Sequence, residues 1–98
     1  MIRRILFWKY GPAVSDKNNL VETLRFRFQE LKAACPGLLE VQVEPTLPGS
    51  THDIALLCTF SDRAALDAYQ FNPRHLSLRA EISYQLRDRV CADVELPG

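Results

Sequence analysis

Ninety-eight residues make one domain with one core, because chains spend roughly 100–200 residues on each domain, and twelve Lys and Arg against twelve Asp and Glu leave no formal net charge. Fractions of 47% hydrophobic and 24% charged residues exclude collagen, coiled coil and a disordered chain. A phosphate-tracking surface usually shows a basic excess, and its lack here argues against nucleic acid as the main partner; no apolar run approaches the ~20 residues that cross a bilayer.

Ile2–Tyr10 reads as a first strand. Its Ile5-Leu6-Phe7-Trp8 run is apolar at both parities and is closed by Gly11-Pro12. The charged opening is followed by an apolar stretch that stops at Lys9, too short for a secretory signal. Ser15 is placed to cap a helix running to about Ala34, with Asp16 and Glu22 near its positive end. Leu20, Leu24, Phe28, Leu31 and Cys35 recur every three or four residues as one stripe, and Pro36-Gly37 ends it. Over Leu38–Glu44, Leu39, Val41 and Val43 alternate with Glu40, Gln42 and Glu44, a strand with one buried face.

Pro45–Thr51 has turn chemistry and predicts a loop. A third strand follows over Asp53–Phe60, uninterruptedly apolar from Ile54 to Cys58. Ser61 can cap the next helix, with Leu66 and Tyr69 inward, until Asn72-Pro73 interrupts it. Pro73 can open a second helical piece to about Leu86, in which Leu78, Ile82 and Leu86 are spaced by four. Val90–Leu96 reads as the last strand, and Pro97-Gly98 as its stop. Cys35, Cys58 and Cys91 are odd in number and lack CxxC spacing, which predicts a reduced, cytoplasmic protein.

The order is β-α-β-β-α-β, the ferredoxin-like α+β plan with a four-stranded antiparallel sheet and both helical connections on one face. The double-sided first and third strands make the other face apolar as well. Four strands of about six residues give a face of about 400 Å², and at ~25 cal/mol per Å² leaving it in water forfeits on the order of 10 kcal/mol. A small domain is stable by only ~5–15 kcal/mol. A second copy of the chain is the economical cover, which predicts a homodimer built as an α+β barrel whose interior holds side chains or a small ligand.

Three stretches then resemble the stress-responsive A/B barrel (Dabb) domains. They are Met1–Pro12, His52–Asp62 and, most specifically, Ala64-Ala-Leu-Asp-Ala-Tyr-Gln-Phe-Asn-Pro-Arg-His75; with Pro36-Gly37 they span essentially the whole chain, 1–98. The resemblance implies a ferredoxin-like fold that dimerises into a barrel. Most members have no assigned activity, while related barrels include a plant polyketide cyclase and cofactor-free monooxygenases. The cyclase-type site implied by the resemblance uses a histidine in the first strand, a histidine opening the third, and the tyrosine and histidine of the signature. Tyr69 and His75 match the last two; Arg4 and Ile54 occupy the first two positions, and His52 falls two residues before Ile54 at the same pleat parity, in the preceding loop.

His75 is the leading candidate for acid-base work or for a hydrogen bond to a ligand, since an imidazole titrates near ~6.5; the alternative is a helix-start histidine packed on Tyr69. Tyr69 can orient an aromatic ligand through its phenol, or serve as a core aromatic. Arg4 shares parity with Leu6 and Trp8. Inside, it would bind a carboxylate or phosphate, or else pair with an acidic residue at the dimer interface. The expected ligand-binding set is Arg4, Leu6, Trp8, Ile54, Tyr69 and His75, with His75 and Tyr69 as the catalytic pair. His52, Asp53 and His75 lack the spacing of a metal set, and no glycine-rich phosphate loop exists, so neither metal nor organic cofactor is expected. Cys58 and Cys91 read as small core residues, and Arg25 and Arg27 as solvated helix positions. Three functions follow: a homodimer binding a small apolar or aromatic molecule in the barrel cavity, a cofactor-independent enzyme using His75 and Tyr69, or a dimeric scaffold with a filled barrel.

Overall fold

Alternation settles the first strand. In β1 (Ile2–Tyr10) Ile2, Arg4, Leu6 and Trp8 are buried while Arg3, Ile5, Phe7 and Lys9 are only partly covered, so one parity faces the core. The computed structural model describes residues 1–97; Gly98, half of the expected terminal stop, lies outside the described residues. β1 is followed by α1 (Lys17–Ala34), β2 (Leu38–Pro45), β3 (Ile54–Phe60), α2 (Arg63–Phe71), α3 (Pro73–Ile82) and β4 (Leu86–Glu95). The strands form one antiparallel sheet in the order β2-β3-β1-β4. This is the ferredoxin-like fold expected of the sequence, with the second connection split into two helices.

The helix-side face carries the core. Leu20, Leu24, Phe28 and Leu31 of α1 and Leu66 and Tyr69 of α2 pack with Leu6, Val41, Val43, Ile54, Leu56 and Phe60 of the sheet. The caps fall one residue later than the sequence suggests. Asp16, not Ser15, accepts from the Asn19 amide at 3.0 Å, and Asp62, not Ser61, from the Ala65 amide at 2.8 Å. A carboxylate answers both the orphan amide and the positive helix end, so it outcompetes the neighbouring hydroxyl.

A bulge and an early strand start rewrite the expected strands. An extra residue in β2 between Leu38 and Glu40 buries Leu38 and turns Leu39 out, 47% exposed, against the simple alternation. β4 begins at Leu86, four residues earlier than expected, because α3 ends at Ile82 and the Gln85 amide closes a turn onto the Ile82 carbonyl. Leu86 is therefore the buried first residue of a strand paired with Tyr10, and not a helical residue. Cys58 is core, but Cys91 on the edge strand is exposed in the single chain. Arg25 and Arg27 also do more than solvate. The Arg25 Nε donates to the Val43 carbonyl and its guanidinium pairs with Glu44, while Arg27 pairs with Glu81, tying α1 to β2 and α3.

The sheet's other face has no helix. Its centre holds Ile5 and Phe7 of β1, Ala55 and Leu57 of β3, and Val90, Ala92 and Val94 of β4, with Arg3, Lys9, Gln42 and Glu44 around them. Val90 and Val94 are 47% and 41% exposed. The apolar patch is thus narrower than a whole greasy face, because β2 contributes polar residues to it.

Candidate functional site

Breaking one helix into two opens a space beside the sheet. Asn72 accepts from the Arg74 amide at 2.9 Å and Pro73 starts α3, so the chain changes direction between Phe71 and Pro73. α3 then lies over β1 and the beginning of β4, and a pocket of about 170 Å³ remains between them. Leu6, Trp8 and Leu56 of the sheet and Leu78, Ile82 and Leu86 supply its apolar walls. Tyr69, His75 and Arg4 supply its inner polar groups, and the exposed Arg79, Arg87, Asp88 and Arg89 its outer ones.

Five of the six residues expected to bind a ligand line this one pocket: Arg4, Leu6, Trp8, Tyr69 and His75. Ile54 does not; it is wholly buried in the core opposite Trp8. The sequence reading put the cavity inside the barrel, between two sheets. The pocket instead lies on the helix side of a single sheet, because β1's even-numbered residues face α3. A lumen between sheets would be lined by the opposite parity, Ile5 and Phe7.

His75 and Tyr69 meet across the Asn72-Pro73 break, with ring centroids 4.1 Å apart and planes tilted by 32°. Tyr69 is held in turn edge-on by Phe60, at 5.1 Å. The His75 Nδ1 is buried and has no hydrogen-bond partner. Burial pushes its pKa below the ordinary imidazole value; the Gln70 backbone opposes that, and the charges of Arg4, Arg79 and Arg89 add to it. The shift favours the neutral ring, one of whose nitrogens is buried without a partner. Burial also pushes the Tyr69 phenol well above its usual range, so it stays protonated and can donate. The same cause raises the Cys58 thiol to about 12, which leaves no thiolate for nucleophilic work.

Arg4 finds its partner within the chain, not at a dimer interface. Its Nε and Nη2 donate to the two carboxylate oxygens of Asp93 at 2.8 and 3.1 Å, and Nη2 also to the Gln70 Oε1 at 3.3 Å. β1 and β4 place the two residues directly opposite each other in register. The hydrogen bond from Arg4 holds the Asp93 carboxyl below its usual range, and Asp93 raises Arg4 in return. His52 stays in the bend before β3, where its Nε2 lies 3.1 Å from the Asp88 carbonyl oxygen and its ring 6.2 Å from Phe7.

Sequence reasoning missed the outer arginines. In a regular strand only alternate residues share a face, yet Arg87, Asp88 and Arg89 all line the pocket. The β1–β4 pairing carries an extra β4 residue between Phe7 and Lys9, and Asp88 there has φ of 54°. The sequence signal for this is faint: an Asp, which tolerates that conformation, between two arginines.

The sequence model of the Stress responsive A/B Barrel Domain matches residues 2–96. No curated protein matches in sequence. Among solved structures, a dimeric ferredoxin-like protein of unknown function from Thermobifida fusca is 27% identical, with a TM-score of 0.81 over 97% of this chain and 90% of that one. A hydroxynitrile lyase from Passiflora edulis is 18% identical, with a TM-score of 0.81 over 98% of this chain and 93% of that one. An Arabidopsis thaliana protein at 14% identity superposes with a TM-score of 0.84 over 100% of this chain and 97% of that one.

Proposed function

The chain belongs to the stress responsive A/B barrel domain family, and on that premise we propose that it is a homodimeric binding protein for a small apolar or aromatic molecule, held in each protomer between α3 and the sheet. The observation that carries this reading is the buried, unpartnered Nδ1 of a neutral His75 beside a pocket whose apolar walls are leucine, isoleucine and tryptophan. A buried nitrogen without a partner costs about 1–3 kcal/mol, which a ligand's donor would return. The pocket is of the right order for one aromatic ring, since an engineered apolar cavity of about 150 Å³ takes benzene. The bare apolar centre of the sheet, and the dimeric state of the Thermobifida relative, support the second copy as its cover. Unpaired cysteines, one of them exposed, fit a reducing cytoplasm.

A fragment library titrated into isotope-labelled protein tests the reading. Shifts should concentrate on the Trp8 indole and the His75 ring; shifts confined to the open sheet face would overturn it, and no binding at all would leave a dimeric scaffold. A second reading, a cofactor-independent enzyme, rests on the same imidazole, which can take a proton while the Tyr69 phenol donates. The Passiflora enzyme makes hydroxynitriles the first substrates to assay. Turnover that drops by about 100-fold or more in His75→Ala would select the enzyme; no turnover above that variant would select the binding protein.

A further inference from the structure

The pocket is charged in a way its apolar walls do not require. The whole chain balances twelve cationic residues against twelve anionic ones. The pocket does not: four arginines line it and a single carboxylate, Asp88. Arg4 is neutralised by Asp93, and the Asp88 carboxylate lies 3.7 Å from the Lys9 ammonium. Arg79, Arg87 and Arg89 have no carboxylate within ion-pair distance among the described residues.

Their convergence is built into the fold. Arg79 comes from α3, which places it one turn before Ser83 at the pocket's edge. Arg87 and Arg89 flank Asp88, whose left-handed backbone and extra-residue bulge turn both toward a pocket that a flat strand would offer to only one of them. A non-glycine residue in that region is uncommon, and bulges re-aim side chains beside functional sites.

We infer that the pocket takes an amphipathic anion, with a carboxylate or phosphate head at Arg79, Arg87 and Arg89 and an apolar tail of about one aromatic ring against Leu6, Trp8 and Ile82. The inference rests on the pocket's being a ligand site and adds the charge of the ligand. Guanidinium forks recognise such heads in two parallel hydrogen bonds. A free acid, or an aromatic phosphate ester, meets both halves of the site at once, which a neutral ring or an inorganic ion does not.

Trp8 is the only tryptophan in the chain and lines the pocket, so its fluorescence reports binding directly. Four probes with the same ring are titrated into the dimeric wild-type protein: phenylbutyrate, phenylpropyl phosphate, phenylbutanol and phenylbutylamine. Either or both anions should bind about tenfold or more tighter than the alcohol, the tighter one naming the head. The advantage should shrink with salt and in Arg79→Gln/Arg89→Gln, whose exposed positions leave the core untouched. Alcohol binding as tight as the anions, or amine binding tighter, would overturn the anion inference and leave the pocket reading standing. Failure of all four probes to perturb Trp8 would overturn both.

Discussion

At the scale of single residues, the site is an arrangement of groups whose protonation is fixed by where they are buried. The Asp93 carboxyl is held below its usual range by Arg4. Its contribution to stability is therefore whole above about pH 4, the unfolded value, and is lost as pH falls through the lower folded value. Asp93→Ala should cost about 1–2 kcal/mol in urea unfolding at pH 7, less than the ~3–5 kcal/mol of a fully buried pair because the Asp93 side chain is 33% exposed. The difference from wild type should vanish in acid; a cost unchanged at low pH would contradict the ion pair. His75 behaves in a related way from another cause. Burial lowers its pKa, so folding favours the neutral ring: stability is whole above about pH 6.5 and falls as pH drops through the folded value. In His75→Gln that slope should disappear from the pH-dependence of unfolding, and a slope that persists undiminished would count against a buried neutral imidazole. Tyr69 and His75 were legible because a short signature around Asn72-Pro73 carries them, and Arg4 because strand parity put it with Leu6 and Trp8. Arg87 and Arg89 were not, since a bulge places them and no alternation announces a bulge.

At the scale of elements, the joints between helices and strands decide the pocket's position. Gly37, between α1 and β2, has φ of 87°, and a methyl group there would stand 2.4 Å from the Ala65 Cβ and 2.9 Å from the Ser61 Oγ. Gly49, in the loop before β3, has nearly the same backbone, φ 91°, and open space around it. The pair separates backbone strain from collision. Gly49→Ala should cost about 1–2 kcal/mol from the left-handed backbone alone, and Gly37→Ala about 1–3 kcal/mol more, from the forced shift of α2 against β2. Equal losses in thermal or urea unfolding would mean that α2 does not press on Gly37 as described. The sequence showed both glycines as turn residues, but only the fold shows why Ala65 of the signature has to be small. Helix starts were readable to within a residue, because Ser-Asp offers two caps in a row. The end of α3 was not, since Leu86 keeps helical spacing from Ile82 while its burial is satisfied from a strand.

At the scale of the molecule, the two faces of the sheet have separate tasks. Even-numbered residues of β1 face α3 and the pocket, while Ile5 and Phe7 face a surface without helices. Polar β2 positions and the lysine and arginine rim roughly halve the apolar area expected from the sequence, which puts its exposure at on the order of 5 kcal/mol. That is still a large share of a small domain's stability, and a second copy laid sheet to sheet removes it. Trp8, one of the residues expected to bind a ligand, lines the pocket on the helix side of the sheet, so changes there should alter ligand binding and leave assembly intact. Sedimentation equilibrium on the wild-type protein and on Phe7→Glu tests this division of the sheet most directly. The expected result is a particle of two chains for the wild type and of one folded chain for Phe7→Glu. A wild type that sediments as one chain at high protein concentration, or a Phe7→Glu variant that remains paired, would contradict it.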